Sequence, residues 1–169
     1  MSEMNASPYL LLMRHAKSSW AEAGLSDHQR PLNERGERAA TDIGAELYAR
    51  GYAPDIIWSS DSKRTRLTAM RLIRAIPGAQ EVHYNPDFYH AGPEQVIKIC
   101  QETPFPERNL MLLGHNPGWA ELHYYLSGQD HNFPTAACAV YQAKKAPAAN
   151  WLSPKIWRLV DLILPRDLE

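Results

Sequence analysis

Short apolar runs separated by polar stretches are the dominant pattern of this chain. The first run, at 9–13, stops abruptly at Arg14 and His15, as expected of a strand that is buried on both faces. Other apolar runs predict strands at 54–58, 82–84, 109–113, 136–142 and 156–164, of which 82–84 is the weakest.

Between these runs, apolar residues recur at helical spacing. The pattern predicts helices that follow Asn33, Ser62 and Asn116, and a short helix at 94–102. Asn33 and Asn116 are suitable N-caps, and Pro117 is expected at the first helical position. Glycine or Pro-Gly ends three of these helices, at positions 51, 77–78 and 128.

The order of these elements predicts an α/β fold. Strands alternating with helices through the first three-quarters of the chain favour a mainly parallel sheet with helices on both faces, a three-layer α/β/α sandwich. The last two strands have no helix between them, so we expect an antiparallel pair at an edge of the sheet. Without repeats, low-complexity tracts or linkers, the pattern indicates a single domain over residues 1–169.

Composition narrows the functional classes. The chain has 169 residues, 44% of them hydrophobic, and 18 Lys and Arg residues against 19 Asp and Glu residues. This net charge of -1 gives no reason to expect binding to nucleic acid or to an acidic membrane. Cys100 and Cys138 lie in apolar surroundings and are expected to be buried thiols. No leader or membrane-length apolar segment is evident, so the default expectation is a cytoplasmic protein, and its oligomeric state stays open.

Candidate chemistry lies at three strand ends. The first strand ends at Arg14-His15, the second is followed by Lys63-Arg64, and the strand at 109–113 by Gly114-His115. Parallel strands bring these ends to one edge, where α/β sheets bind ligands. Guanidinium groups bind phosphate oxygens in pairs and a histidine can attack phosphorus, so the pattern favours a phosphoryl site. The other histidines lack metal-ligand spacing, and neither a metal nor a cofactor is predicted.

Three motifs in this order resemble the histidine phosphatase superfamily, which has the phosphoglycerate mutase-like fold. Arg14-His15-Ala16 resembles its Arg-His-Gly signature, the segment 60–69 its Ser-Pro-x-x-Arg and Thr-Ala motif, and Gly114-His115-Asn116 its second histidine. Ala16 and Asp61 depart from the usual glycine and proline. The segments 26–36 and 133–136, and the small size, resemble the SixA-type phosphohistidine phosphatases.

The resemblance implies a role for each matched residue. His15 would be the nucleophile that forms a phosphohistidine intermediate, and Arg14, Arg64 and His115 would hold the phosphoryl oxygens. Many members carry a glutamate as general acid in the loop that corresponds to 85–92. This loop has none, and Asp87 and His90 are its candidate acids. Because a leaving imidazole can already carry its proton, the missing glutamate favours phosphoramidate substrates such as phosphohistidine.

Three functional hypotheses remain open at this point. The first is a phosphohistidine phosphatase acting on phosphorylated protein, the second a small-molecule phosphomonoesterase, and the third a catalytically silent module that binds phosphorylated protein. A basic rim of Lys17, Arg30, Arg35 and Arg38 could attract the substrate, and Arg30 is the candidate among them for binding it. Asp27 could either orient Arg14 or His15 or begin a turn, and the turn is favoured.

Overall fold

The computed structural model describes residues 7–169, and its centre is a six-stranded sheet. The strands are β1 (Tyr9–Arg14), β2 (Ile56–Ser60), β3 (Glu81–Asn85), β4 (Leu110–Gly114), β5 (Cys138–Ala143) and β6 (Trp157–Ile163). Their order in the sheet is β3-β2-β4-β1-β5-β6. The pairs β1–β4, β2–β3 and β2–β4 are parallel, whereas β5 is antiparallel to both β1 and β6. The predicted α/β class, parallel centre and antiparallel edge are confirmed.

Four helices cover the two faces of this sheet. They are α1 (Glu34–Ala49), α2 (Lys63–Arg74), α3 (Pro93–Cys100) and α4 (Gly118–Ser127). Leu10 and Leu12 of β1 pack in one core cluster with residues of α3 and α4. Leu11 and Met13 pack in a second cluster with residues of α1 and α2. Alternate residues of one strand therefore face opposite helical layers, as buried parallel strands require.

The helix starts follow their capping residues. The Asn33 side chain accepts a hydrogen bond from Gly36 N (2.8 Å), and the Ser62 side chain accepts one from Thr65 N (3.3 Å). Asn116 Oδ1 accepts from Ala120 N (3.1 Å). Pro117 is the N-cap of α4, so its prediction as the first helical residue was wrong by one position. An N-cap position tolerates proline equally well, because its N–H is not needed by the helix.

Two further details differ from the sequence-based prediction. The strand expected from residue 136 begins at Cys138, because Ala136 has a positive φ of 63° and belongs to the turn before the strand. The predicted loop over 17–30 contains a short 3-10 helix, Asp27–Gln29. Cys100 and Cys138 are free, and burial raises the pKa of both thiols, as expected for inert core residues.

Candidate active site

The backbone at the end of β1 is held between two neighbouring segments. His15 N donates a hydrogen bond to Gly114 O (3.0 Å), and Ala136 N donates to His15 O (2.9 Å). Ala16 N donates to Thr68 Oγ1 (3.0 Å) in α2. The backbone of His15 is therefore bonded to the end of β4 and to the segment before β5, and the next residue is bonded to α2, so the His15 side chain extends from a backbone that is fixed on three sides.

The His15 ring is buried, with 6% of the residue exposed. Its Nδ1 lies 2.7 Å from Ala16 O, and because a carbonyl can only accept, Nδ1 carries the proton. The lone pair is then on Nε2. Burial lowers the pKa of His15 to about 4, with further lowering from Arg64 and Arg14, so the imidazole is neutral at physiological pH. A neutral imidazole with a free Nε2 is the form that can act as a nucleophile.

Arg64, in the first turn of α2, lies between the two histidines. Its Nε is 3.4 Å from His15 Nε2, and its Nη2 is 3.5 Å from His115 Nδ1. The residue is 5% exposed. One edge of the guanidinium group therefore faces both imidazoles. An oxyanion bound between the two rings would accept hydrogen bonds from this edge.

His115 follows β4 and approaches the same place. The centroids of its ring and the His15 ring are 5.2 Å apart. His115 Nε2 is 2.9 Å from Ser60 Oγ, which fixes the ring from the end of β2. Burial, followed by the charges of His15 and Arg64, lowers the pKa of His115 to about 3. An arriving phosphoryl dianion would oppose these effects, because it favours a protonated imidazole.

Arg14 supplies a donor that the protein itself leaves unused. Its Nη1 donates to Phe133 O (3.4 Å), but its buried Nε has no hydrogen-bond partner within residues 7–169. Burial and the nearby Arg64 lower the pKa of Arg14. A buried guanidinium nitrogen without a partner is costly in a folded protein, and it is expected where an anionic ligand binds.

Asp27 holds the end of the Arg64 guanidinium group, next to the edge that faces the histidines, and the sequence analysis did not predict this contact. Arg64 Nη1 donates to Asp27 O (2.6 Å) and Nη2 donates to Asp27 Oδ2 (3.0 Å). The Tyr89 hydroxyl also donates to Oδ2, and Arg30 Nε to Oδ1 (3.3 Å). The hydrogen bond from Tyr89, then Arg64, lowers the pKa of Asp27 to about 2. Asp27 does begin the 3-10 turn, but its carboxylate orients Arg64, not Arg14 or His15.

Arg30 is buried at the border of the site. It binds Asp27 and stacks on the indole of Trp20, which lies 3.5 Å from the guanidinium carbon and is 77% exposed. Its charge contributes to the low pKa of His15. The Arg30 guanidinium donates to Asp27 Oδ1 and to Ser19 O (3.5 Å), and no hydrogen bond within residues 7–169 joins it to His15, so Arg30 lies at the side of the four central residues.

The two candidate acids lie in different surroundings. Asp87 is exposed in the 3-10 turn Pro86–Phe88, and no hydrogen bond within residues 7–169 connects its side chain to the site. His90 has a positive φ of 61°, and its ring packs against the Tyr89 ring with 3.9 Å between centroids and 41° between the ring planes. Its charge helps to lower the pKa of His115. The Tyr89 ring itself packs edge-on against His115 at 5.3 Å, so His90 is nearer to the site than Asp87.

The two departures from the family motif have local explanations. Ala16 is fully buried and is not among the described residues with positive φ, so glycine is not required there. Asp61 Oδ1 is 2.9 Å from His28 Nε2, and this bond connects the end of β2 to the loop that carries Asp27. Where the family motif has a proline that stiffens the turn, this chain therefore has an aspartate that bonds one loop to another.

Two structural features are absent from residues 7–169. They contain no group of three or more His, Cys, Asp or Glu side chains arranged to hold a metal ion. None of their helices combines the length and apolar character that crossing a membrane requires.

Comparison with known proteins agrees with this geometry. Residues 10–90 match the sequence profile of the histidine phosphatase superfamily (branch 1). An uncharacterized chloroplastic protein of Arabidopsis thaliana is 35% identical over 92% of this chain and 77% of its own length. An uncharacterized protein of Mycobacterium tuberculosis is 32% identical over 91% of this chain and 100% of its own. The chain belongs to the histidine phosphatase superfamily.

Solved structures of histidine phosphatases support the SixA-type branch and the phosphoglycerate mutase-like fold. A SixA protein from Agrobacterium tumefaciens superposes with a TM-score of 0.78 at 30% identity, covering 94% of this chain and 98% of that one. The protein histidine phosphatase SixA in complex with tungstate has a TM-score of 0.79 at 17% identity, covering 95% and 99% of the two chains, and this likeness concerns the fold alone. Membership in this superfamily supports phosphatase activity.

Proposed function

We propose that this histidine phosphatase hydrolyses phosphohistidine on protein substrates through a covalent intermediate on His15. The observation that carries the proposal is the position of Arg64, whose guanidinium group faces both His15 Nε2 (3.4 Å) and His115 Nδ1 (3.5 Å). A phosphoryl group between these side chains would have Arg64, His115 and the unpartnered Arg14 Nε available for its oxygens.

The proposed reaction has two displacement steps at phosphorus. In the first, His15 Nε2 forms a bond to phosphorus while the P–N bond of the substrate breaks, and the electron pair of that bond stays on the released nitrogen. The substrate imidazole leaves as a neutral ring because its other nitrogen already carries a proton. In the second, water attacks the phosphoryl group on His15. The P–N bond to His15 breaks and its electron pair returns to Nε2, while the protons of the attacking water leave with the inorganic phosphate or pass to solvent. Arg14, Arg64 and His115 offset the charge of both transition states.

The preference for phosphohistidine is supported by the state of the nearest carboxylate. Asp27 has a pKa near 2 because of Tyr89 and Arg64, so it is ionised and cannot donate a proton at neutral pH. An alcohol oxygen needs such a proton when it leaves, whereas an imidazole can leave already protonated. Asp87 and His90 remain the candidate acids for ester substrates, and His90 is favoured by its position beside Tyr89.

Metal-independent turnover is part of the proposal. Two guanidinium groups beside His15 and His115 disfavour a divalent cation in this position, because like charges would be brought together in a partly buried site. A chelator such as EDTA is therefore expected to leave the rate unchanged.

The test compares two substrates and two histidine variants. Phosphate release from a chemically phosphorylated phosphohistidine protein should exceed that from p-nitrophenyl phosphate in kcat/KM. His15→Ala should abolish both the activity and the acid-labile phosphate label on the enzyme, whereas His83→Ala, an exposed histidine on the edge strand β3, is the matched control. Turnover of the aryl ester alone would favour the phosphomonoesterase hypothesis. Binding without turnover would favour the silent module, and a label that persists in His15→Ala would mean that another residue attacks.

A further inference from the structure

A second, basic cavity lies beside the candidate active site. It has a volume of about 250 Å³, and its lining includes three cationic side chains, those of Lys17, Arg35 and Arg166. The carboxylate of Glu169 and the residues Pro134 and Thr135 also line it. Among the cations, Lys17 has no ion pair within residues 7–169, and Arg166 is 3.9 Å from the exposed Asp167.

Two residues that line this cavity, Lys17 and Thr135, lie close to the backbone of His15. Lys17 follows His15 by two residues, which places their Cα atoms within about 7 Å of each other. Thr135 precedes Ala136, whose N–H donates to His15 O (2.9 Å). Two lining residues of the cavity are therefore neighbours of the His15 backbone, and we infer that a side chain flanking a phosphohistidine bound at His15 reaches them.

The backbone of Lys17 is also held in a fixed position. Lys17 O accepts a hydrogen bond from Asn33 N (3.0 Å), and a Cβ on Gly36 would lie only 2.1 Å from the same oxygen. Helix α1 packs against this backbone so closely that only glycine fits there. The position of Lys17 relative to His15 is consequently set by the fold, as a built recognition site requires.

A carboxylate of the protein already binds one of these cations. Arg35 Nη2 lies 3.7 Å from a carboxylate oxygen of Glu169, within the lining of the cavity. Glu169 is the carboxylate partner of Arg35 and Asp167 that of Arg166, whereas Lys17 has none within residues 7–169, so one positive charge of the cavity is uncompensated. A further carboxylate from outside would be attracted to the unpaired Lys17.

We propose that this cavity binds an acidic side chain, aspartate or glutamate, that flanks the phosphohistidine of a protein substrate. The proposal rests on the proposed function and adds to it a sequence preference. The phosphoryl group enters between His15, Arg64 and His115, while the flanking carboxylate enters beside Lys17 and Arg35. Because the cavity cations are exposed, each ion pair is expected to contribute modestly, and the preference is expected to fall as salt concentration rises.

The experiment uses two phosphohistidine peptides that differ only in having glutamates or glutamines beside the phosphohistidine. The wild type should prefer the acidic peptide by about fivefold in kcat/KM, mainly through KM, as expected for a few exposed ion pairs. Lys17→Gln, Lys17→Ala and Arg35→Ala should each reduce this ratio. Lys145→Ala is the matched control, since this exposed lysine follows β5, which is antiparallel to β1, and so lies at the opposite end of the strands from His15 and should leave the ratio unchanged. Glu169→Gln should raise the ratio because it removes a competing carboxylate.

The outcomes separate this proposal from the one on which it rests. Equal kcat/KM values for the two peptides in the wild type, or a ratio that survives in Lys17→Gln and Arg35→Ala, would overturn the cavity proposal alone. Failure to hydrolyse either peptide would overturn the proposed function and the cavity proposal together.

Discussion

Replacing Asp27 with asparagine keeps the size of the side chain but removes the charge that orients Arg64. The carboxylate accepts hydrogen bonds from Arg64 Nη2 (3.0 Å) and from the Tyr89 hydroxyl, while its backbone oxygen holds Arg64 Nη1 (2.6 Å). The backbone bond survives the substitution. The guanidinium group is therefore expected to loosen on one side only, and the edge that faces His15 and His115 loses its fixed orientation.

The expected size of the effect follows from this geometry. The Arg64 side chain is 6% exposed but that of Asp27 is 45% exposed, so solvent screens the pair. Screening reduces the usual value of a charge-assisted hydrogen bond to about 1 kcal/mol of folding stability. For activity we expect a loss of about tenfold, or roughly 1.4 kcal/mol, because a small misplacement of a transition-state donor weakens it. The loss should appear in kcat, since removing a negative charge from the site does not weaken the attraction of a phosphoryl dianion.

The assay is a double-mutant cycle between Asp27→Asn and Arg64→Ala. Steady-state kinetics on a phosphohistidine substrate are measured for the wild type, both single variants and the double variant. If Asp27 acts through Arg64, the asparagine substitution costs nothing more once Arg64 is alanine. A tenfold loss in both backgrounds would refute this reasoning. Tyr89→Phe, which removes one donor but leaves the carboxylate, should cost less than Asp27→Asn.

Three other substitutions test the surroundings of the site. Ser60→Ala removes the partner of His115 Nε2 (2.9 Å) and should lower kcat about tenfold with little change in KM, as steady-state kinetics would show. Gly114→Ala would place a Cβ 2.4 Å from the Trp119 ring, and chemical denaturation should show a loss of about 2 kcal/mol or more. Burial lowers the pKa of His123 to about 4, so protonation favours the unfolded protein as pH falls below its ordinary value of 6.5. Between pH 7 and pH 5 the wild type should therefore lose about 2 kcal/mol of stability that His123→Gln does not lose, and equal losses in both would contradict that pKa.

Residues that are far apart in the sequence come together in the candidate active site, and this could be predicted because it depends on the topology of the sheet. Four residues lie at or just after the carboxyl end of a strand in the parallel part of the sheet, and parallel strands have these ends at one edge: Arg14, His15, Arg64 and His115. Alternating strands and helices therefore imply that these residues lie near each other, before any side-chain position is known. The close approach of Arg64 to both histidines agrees with that expectation.

The contacts that orient these residues could not be predicted in the same way. Asp27 lies in a stretch without hydrophobic periodicity, and its bond to Arg64 depends on how that loop folds back across α2. The bond from Tyr89 to Asp27 joins two loops whose conformations have no repeating pattern. One sequence signal points to Asp27: it lies in the segment that resembles the SixA-type branch. Each polar residue of such a segment is a candidate for a role in the site.

The binding of Arg64 by Asp27 has a consequence for the energetics of recognition. A free arginine side chain has many rotamers, and ordering it at the moment of binding would cost up to about 2 kcal/mol. Here that ordering is completed while the chain folds, since Asp27 holds two guanidinium nitrogens without any ligand. A tetrahedral oxyanion then meets donors that are already immobile. The same rigidity does not distinguish a phosphoryl group on a substrate from the inorganic phosphate that the reaction releases, so we expect the product to compete for the site.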